Sequence, residues 1–176
     1  MQYRRANISG ATYFITANLA ERQATTLVDC IDAFRDAVRR VKARHPFKTD
    51  AMVVMPDHFH LLMTLPPDDA DFSHRIGAIK SAFSRSLPRI EYVSPSREAK
   101  QERGIWQRRF WEHLIRDGRD YANHVDYIHI NPVKHGYTKR AVDWPHSSIH
   151  RFIERGIVDA NWATSVDDGR YGENSL

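Results

Sequence analysis

A chain of 176 residues, 41% hydrophobic and 27% charged, is long enough for one domain with a substantial core and too short for two. Its single cysteine, Cys30, excludes an internal disulfide framework and suits a reducing cytosol, and no run of about eighteen apolar residues predicts a membrane span. The formal charge of +4 is compatible with a polyanionic partner without requiring one.

Tyr3-Arg4-Arg5 is a short basic arm, and the residues behind it lack the apolar run of a signal peptide. Thr12 to Leu19, preceded by Gly10, is β-rich and roughly alternating, which predicts a strand. Leu27, Ile31, Phe34, Val38 and Val41 then recur at helical spacing, with Thr25 or Thr26 as N-cap and Pro46 as the stop. Phe47–Met55 and His58–Leu65 read as a hairpin turning at Pro56-Asp57. A second amphipathic helix follows on Phe72, Ile76, Ile79, Phe83 and Leu87, ended by Pro88 and carrying Arg75, Lys80 and Arg85. Residues 89–104 are polar, lack either period and predict a mobile loop. The aromatic run Ile105–Ile115 reads as a strand or extended segment. Asp117-Gly118 breaks it, and a helix from Arg119 to Asn131 closes at Pro132. Trp144-Pro145 predicts the start of a last helix reaching about Arg155.

Strand, helix, hairpin, helix, strand is the βαββαβ order of a ferredoxin-like α+β sandwich, an antiparallel sheet with two helices on one face and a C-terminal helical tail. One domain over 1–158 and a loosely ordered tail over 159–176 are expected.

The chemistry-bearing stretch is Pro56-Asp57-His58-Phe59-His60. On a strand, His58 and His60 share one face while Phe59, Leu61 and Met63 take the other. Such a pair is either structural or half of a metal site. On the helix before Pro132, Tyr127 and Asn131 fall within about 40° of one another, beside the apolar stripe of Tyr121, Val125 and Ile128. Brought over the histidine pair, that edge would complete a site. The imidazoles and the Asn131 amide oxygen would hold Mg²⁺ or Mn²⁺, and Tyr127 would be the nucleophile at a phosphate. Each residue also has a plain structural reading, Tyr127 as packing and Asn131 as a helix C-terminus.

Asp57-His58-Phe59-His60, followed by Tyr127-Ile-His-Ile-Asn131-Pro-Val-Lys-His-Gly136, resembles the single-tyrosine HUH transposases, and among them the REP-associated tyrosine transposases. Gly104–His113 and Asp143–Ser148 extend the likeness to about residues 3–155. The resemblance implies a cytoplasmic, nucleoid-associated bacterial enzyme that binds single-stranded DNA hairpins. It would cleave one strand through a 5′-phosphotyrosine, with no nucleotide cofactor, and rejoin it. His58 and His60 are then metal ligands and Tyr127 the nucleophile. Asn131 is the third ligand, where insertion-sequence relatives carry Gln. About 45 residues follow Asn131, enough to hold the tyrosine helix on its own subunit, so a monomer is expected and a homodimer is the alternative. For DNA contacts the basic residues Arg4, Arg5, Lys80, Arg85, Arg108, Arg109 and Lys134 suit phosphates and guanine edges, and Trp106 suits base stacking. The competing readings are a hydrolytic nuclease in which water attacks, and a hairpin-binding protein without catalysis.

Overall fold

The computed structural model describes residues 7–162. Four strands, β1 (Thr12–Asn18), β2 (Lys48–Val54), β3 (His58–Thr64) and β4 (Trp111–Leu114), form one antiparallel sheet in the order β2-β3-β1-β4. This is the ferredoxin-like arrangement expected: each βα crossover skips one strand, so its two ends run parallel without being neighbours.

One face of the sheet carries α1 (Thr26–Asp29), α2 (Ile31–Arg44) and α3 (Phe72–Ser86). Leu27, Phe34 and Val41 on one side and Phe72, Ile76, Ile79 and Phe83 on the other bury their stripes against Phe59, Leu61 and Met63. The single helix expected over 25–45 is broken at Cys30, which leaves the helical region with φ −111° and ψ 35°. Arg75, on α3, is buried. Its guanidinium donates to the carbonyls of His45, Pro46 and Asp71 and to Asp69, closing off the end of α2 that Pro46 leaves unsatisfied.

The opposite face is covered by α5 (Gly118–Lys134), whose Val125, Tyr127 and Ile128 pack on Phe14, Ala51, Val53 and Leu62. This helix does not close before Pro132 as expected but runs two residues past it. Proline at 132 removes only the N–H that would bond to Ile128, and the His135 N–H still reaches the Asn131 carbonyl at 3.0 Å. A register shift at Asp50 in β2 re-aims that carboxylate toward α5. There it accepts from Tyr121 Oη at 3.1 Å, from Thr64 Oγ1 at 2.6 Å and from Lys48 Nζ at 2.6 Å.

Three further expectations change. The 105–115 strand is shortened to β4, because the Gln107 carbonyl accepts from Lys80 Nζ and its N–H donates to Asn18, leaving Trp106 only an isolated bridge to Leu19. Residues 89–104 contain a short helix, α4 (Pro95–Glu98), and are tied down by Arg103, which holds Glu91 and the carbonyls of Ser84, Leu87 and Pro88. Pro145 does not begin the last helix. A 3₁₀ turn spans Ala141–Asp143, residues 146–148 pair with the outer edge of β2, and α6 occupies Ile149–Glu154. The Trp144 indole N–H donates to the Val54 carbonyl and Ser148 Oγ accepts from the Met52 N–H, so the β2 edge is covered by the chain's own C-terminal segment. Positions 163–176 of the expected tail lie outside the described residues.

Candidate active site

Strand alternation sends Phe59, Leu61 and Met63 into the helical core and His58, His60 and Leu62 toward α5. The rings of His58 and His60 lie 4.9 Å apart. Each has a partner on its inner nitrogen. His58 Nδ1 donates to Asp57 Oδ1 at 2.6 Å, and His60 Nδ1 shares a 2.8 Å bond with Thr16 Oγ1, its cross-strand neighbour on β1. Arg22 Nε sits 3.1 Å from the other Asp57 oxygen. Burial alone would raise the Asp57 pKa, but the bond to His58 and the charges of His58 and Arg22 outweigh it and hold the carboxyl below its ordinary value. This is the carboxylate–histidine arrangement that fixes a tautomer and turns Nε2 outward as a lone pair.

Burial, with His58, His135 and Lys134 adding to it, lowers the His60 pKa well below its ordinary value, so the imidazole is neutral. His60 Nε2 is buried and has no hydrogen-bond partner. The same holds for both amide atoms of Asn131, whose side chain is fully buried. Buried polar atoms without partners are costly and call for an explanation. A divalent cation would be held by the two lone pairs among them, His60 Nε2 and Asn131 Oδ1, and the donor set fits Mn²⁺ or Mg²⁺.

Tyr127 comes from α5 and is 3% exposed. Its ring lies 5.2 Å from that of His60 and 5.8 Å from that of Phe14, which itself stacks on His60 at 5.3 Å. One helical turn on is Asn131, and one further turn on is His135, whose ring is 5.6 Å from His58. The edge Tyr127, Asn131, His135 therefore runs over the pair, with Tyr127 at His60 and His135 at His58, and Asn131 between them. Lys134 Nζ lies 5.0 Å from the centre of the Tyr127 ring.

The histidine pair, Tyr127 and Asn131 are thus brought together. Lys134 stands beside Tyr127, and the remaining candidates lie elsewhere. Arg4 and Arg5 lie outside the described residues. Trp106 is 7% exposed, packs edge-on against Phe59 and Phe83, and donates its indole N–H to the Lys80 carbonyl. It is a core residue, which corrects its reading as a stacking platform. Lys80, Arg85 and Arg108 line a groove of about 890 Å³ between α3 and the 89–108 segment, on the face of the sheet away from α5. Each has a local partner there: the Gln107 carbonyl, Ser81 Oγ and Glu102 respectively. Arg109 is exposed. Sequence reasoning missed His135, Thr16 and the role of Asp57. His135 was findable by continuing the α5 wheel beyond Pro132; the other two required the strand register.

A family model described as Transposase IS200 like matches residues 8–131. A REP-associated tyrosine transposase of Escherichia coli K12 is 43% identical over 175 residues, covering 99% of this chain and 98% of the relative. A Haemophilus influenzae relative is 46% identical over 166 residues, 94% of each chain. A solved structure of a REP-associated tyrosine transposase bound to a REP hairpin superposes with a TM-score of 0.83 at 43% identity, covering 100% of this chain and 99% of the other.

Proposed function

Because the chain belongs to the IS200-like transposase family, in the group of REP-associated tyrosine transposases, we propose that it is a metal-dependent single-stranded DNA endonuclease and strand transferase acting beside hairpin elements. The observation that carries this reading is the Tyr127 ring set 5.2 Å from the His60 ring, on a helix of the same chain.

In the proposed step, Tyr127 Oη attacks the scissile phosphorus and the bond from phosphorus to the 3′-oxygen breaks. The 3′-oxygen leaves with the electron pair and takes up a proton, while the phenolic proton passes to solvent. The products are a 5′-phosphotyrosine and a free 3′-hydroxyl. The phosphotyrosine conserves the bond energy, so attack by a 3′-hydroxyl reverses the step without a nucleotide cofactor. When bound by His58, His60 and Asn131, Mg²⁺ or Mn²⁺ supplies Lewis-acid stabilisation of the charge on the phosphate. Asp57 and Thr16 keep both imidazoles in the ligating tautomer. Phe14 fixes the distance between the tyrosine ring and the histidines, and Lys134 offers a positive charge at the phosphate's approach. Residues 144–155 bind the outer edge of β2 and hold α5 on its own sheet, which supports a nucleophile acting in cis. Arg4, Arg5, Lys80, Arg85, Arg108, Arg109 and Lys134 contribute phosphate contacts to the hairpin and its flanks.

The test is a labelled hairpin with single-stranded flanks incubated with Mn²⁺ and run on a denaturing gel. A covalent adduct should form with the unmodified protein and vanish in Tyr127→Phe, while hairpin retention persists. An undiminished adduct in the variant overturns the assignment. Cleavage without any adduct would identify a hydrolytic nuclease instead.

A further inference from the structure

We propose that His113, Asp120 and His124 form a second divalent-cation site, of the zinc class, that fastens β4 to the first turns of α5. It involves none of the residues assigned above and does not depend on the strand-transfer reading.

His113 lies opposite Phe14 in the β1–β4 register and so faces α5, where Asp120 and His124 stand one turn apart. Donor atoms from the three side chains all lie within 4.8 Å of one another. Ligand atoms on one tetrahedral zinc ion lie roughly 3.4 Å apart, so side-chain rotations that draw the three donors inward close the site. The two imidazoles face each other at 4.7 Å with 19° between their planes. Two histidines and one carboxylate with a position left open is a common zinc donor set, and two imidazoles favour zinc over magnesium. The side chains keep 18–23% of their surface, which gives an ion access and leaves room for a water ligand.

The charge balance of Asp120 is the second observation. Its carboxylate accepts from His113 Nε2 at 2.8 Å, from the Arg116 backbone N–H at 3.0 Å, and lies 3.1 Å from His124 Nδ1. Asp57, Asp69 and Glu91 meet Arg22, Arg75 and Arg103. No lysine or arginine side chain among the described residues pairs with Asp120, so its half-buried charge meets two imidazoles and one backbone N–H. A divalent ion offsets it and uses both rings as ligands.

The site has a structural consequence for Tyr127. Phe14 touches both His124, at 4.7 Å between ring centres, and His60, at 5.3 Å. His124 precedes Tyr127 by three residues on the same helix. An ion here would hold the helix carrying Tyr127 against the sheet edge just ahead of the histidine pair.

The two sites separate by mutation. In His58→Ala/His60→Ala protein, titration with Zn²⁺ and with Co²⁺ by calorimetry should retain one equivalent of bound ion. Adding either His124→Ala or Asp120→Asn should abolish it. A second measurement needs no change at the ligands. Trp111 stacks on His113 at 6.0 Å with 7° between planes, so Co²⁺ should quench its emission, read as the difference between otherwise identical proteins with and without Trp111→Phe. If the double variant binds no ion and Trp111 emission is unchanged by Co²⁺, the site does not exist. If the retained equivalent survives both His124→Ala and Asp120→Asn, the ion sits elsewhere and the proposal is overturned.

Discussion

The ring of His135 stands 5.6 Å from that of His58, two helical turns beyond Tyr127 on the same edge of α5. Imidazoles that share one ion at about 2.1 Å have ring centres roughly 5 Å apart, and both the His58–His60 and His58–His135 separations are of that size. We predict that His135→Ala weakens Mn²⁺ binding about tenfold in calorimetry, less than the loss caused by His60→Ala. Unchanged affinity would leave His135 outside the ion's surroundings.

Asp57 and Thr16 orient the two imidazoles without facing the phosphate. Asp57→Asn and Thr16→Val should each lower Mn²⁺ affinity about 10- to 100-fold. Raising Mn²⁺ should recover most of the adduct formed by these variants, whereas it should not rescue Tyr127→Phe. A failure of excess Mn²⁺ to restore either variant would assign it a different role.

His129 is fully buried, and burial, with Arg151 and His150 adding to it, brings its pKa down to about 4. The unfolded chain, with the ordinary value of about 6.5, therefore takes up a proton first as pH falls. The stability tied to this residue is complete above about pH 6.5 and is lost as pH drops toward 4, by roughly 3 kcal/mol across the window. Thermal unfolding measured between pH 7 and 4 should show a shallower acid decline in His129→Gln, which can keep the 2.9 Å bond to Ser148 Oγ. Equal slopes in the two proteins would remove His129 from the account.

Tyr121 anchors the start of α5 to the re-aimed Asp50, and burial, then Asp50, raises its pKa to about 12. Tyr121→Phe removes one bond to a carboxylate that keeps Thr64 and Lys48 as partners, so the expected cost in equilibrium unfolding is about 1–2 kcal/mol. Metal affinity should be little changed, because Asn131 and His135 lie at the other end of the helix.

Much of this protein was legible in local periodicity. The alternation through His58–Met63 needs only the two-residue period of a strand to put both histidines on one face. The stripes of α2 and α3 and the shared edge of Tyr127 and Asn131 follow from the helical period. Turn and breaker residues placed most boundaries, and the order of elements was enough to name the sandwich.

What local periods could not decide was which distant groups meet. Trp106 is in the core because Phe83, on α3, and Phe59, on β3, close over it. Asp50 reaches Tyr121 only through an irregularity in the β2–β3 register, and Ser148 reaches both Met52 and His129 because residues 146–148 complete a sheet edge. Pro132 stops an isolated helix on propensity, yet here its neighbours are buried and the helix continues, carrying His135 to His58. Residue type and spacing thus determined the faces of each element. The partners across those faces were set by close packing and by the need to pair buried polar groups, which act between residues far apart in the chain.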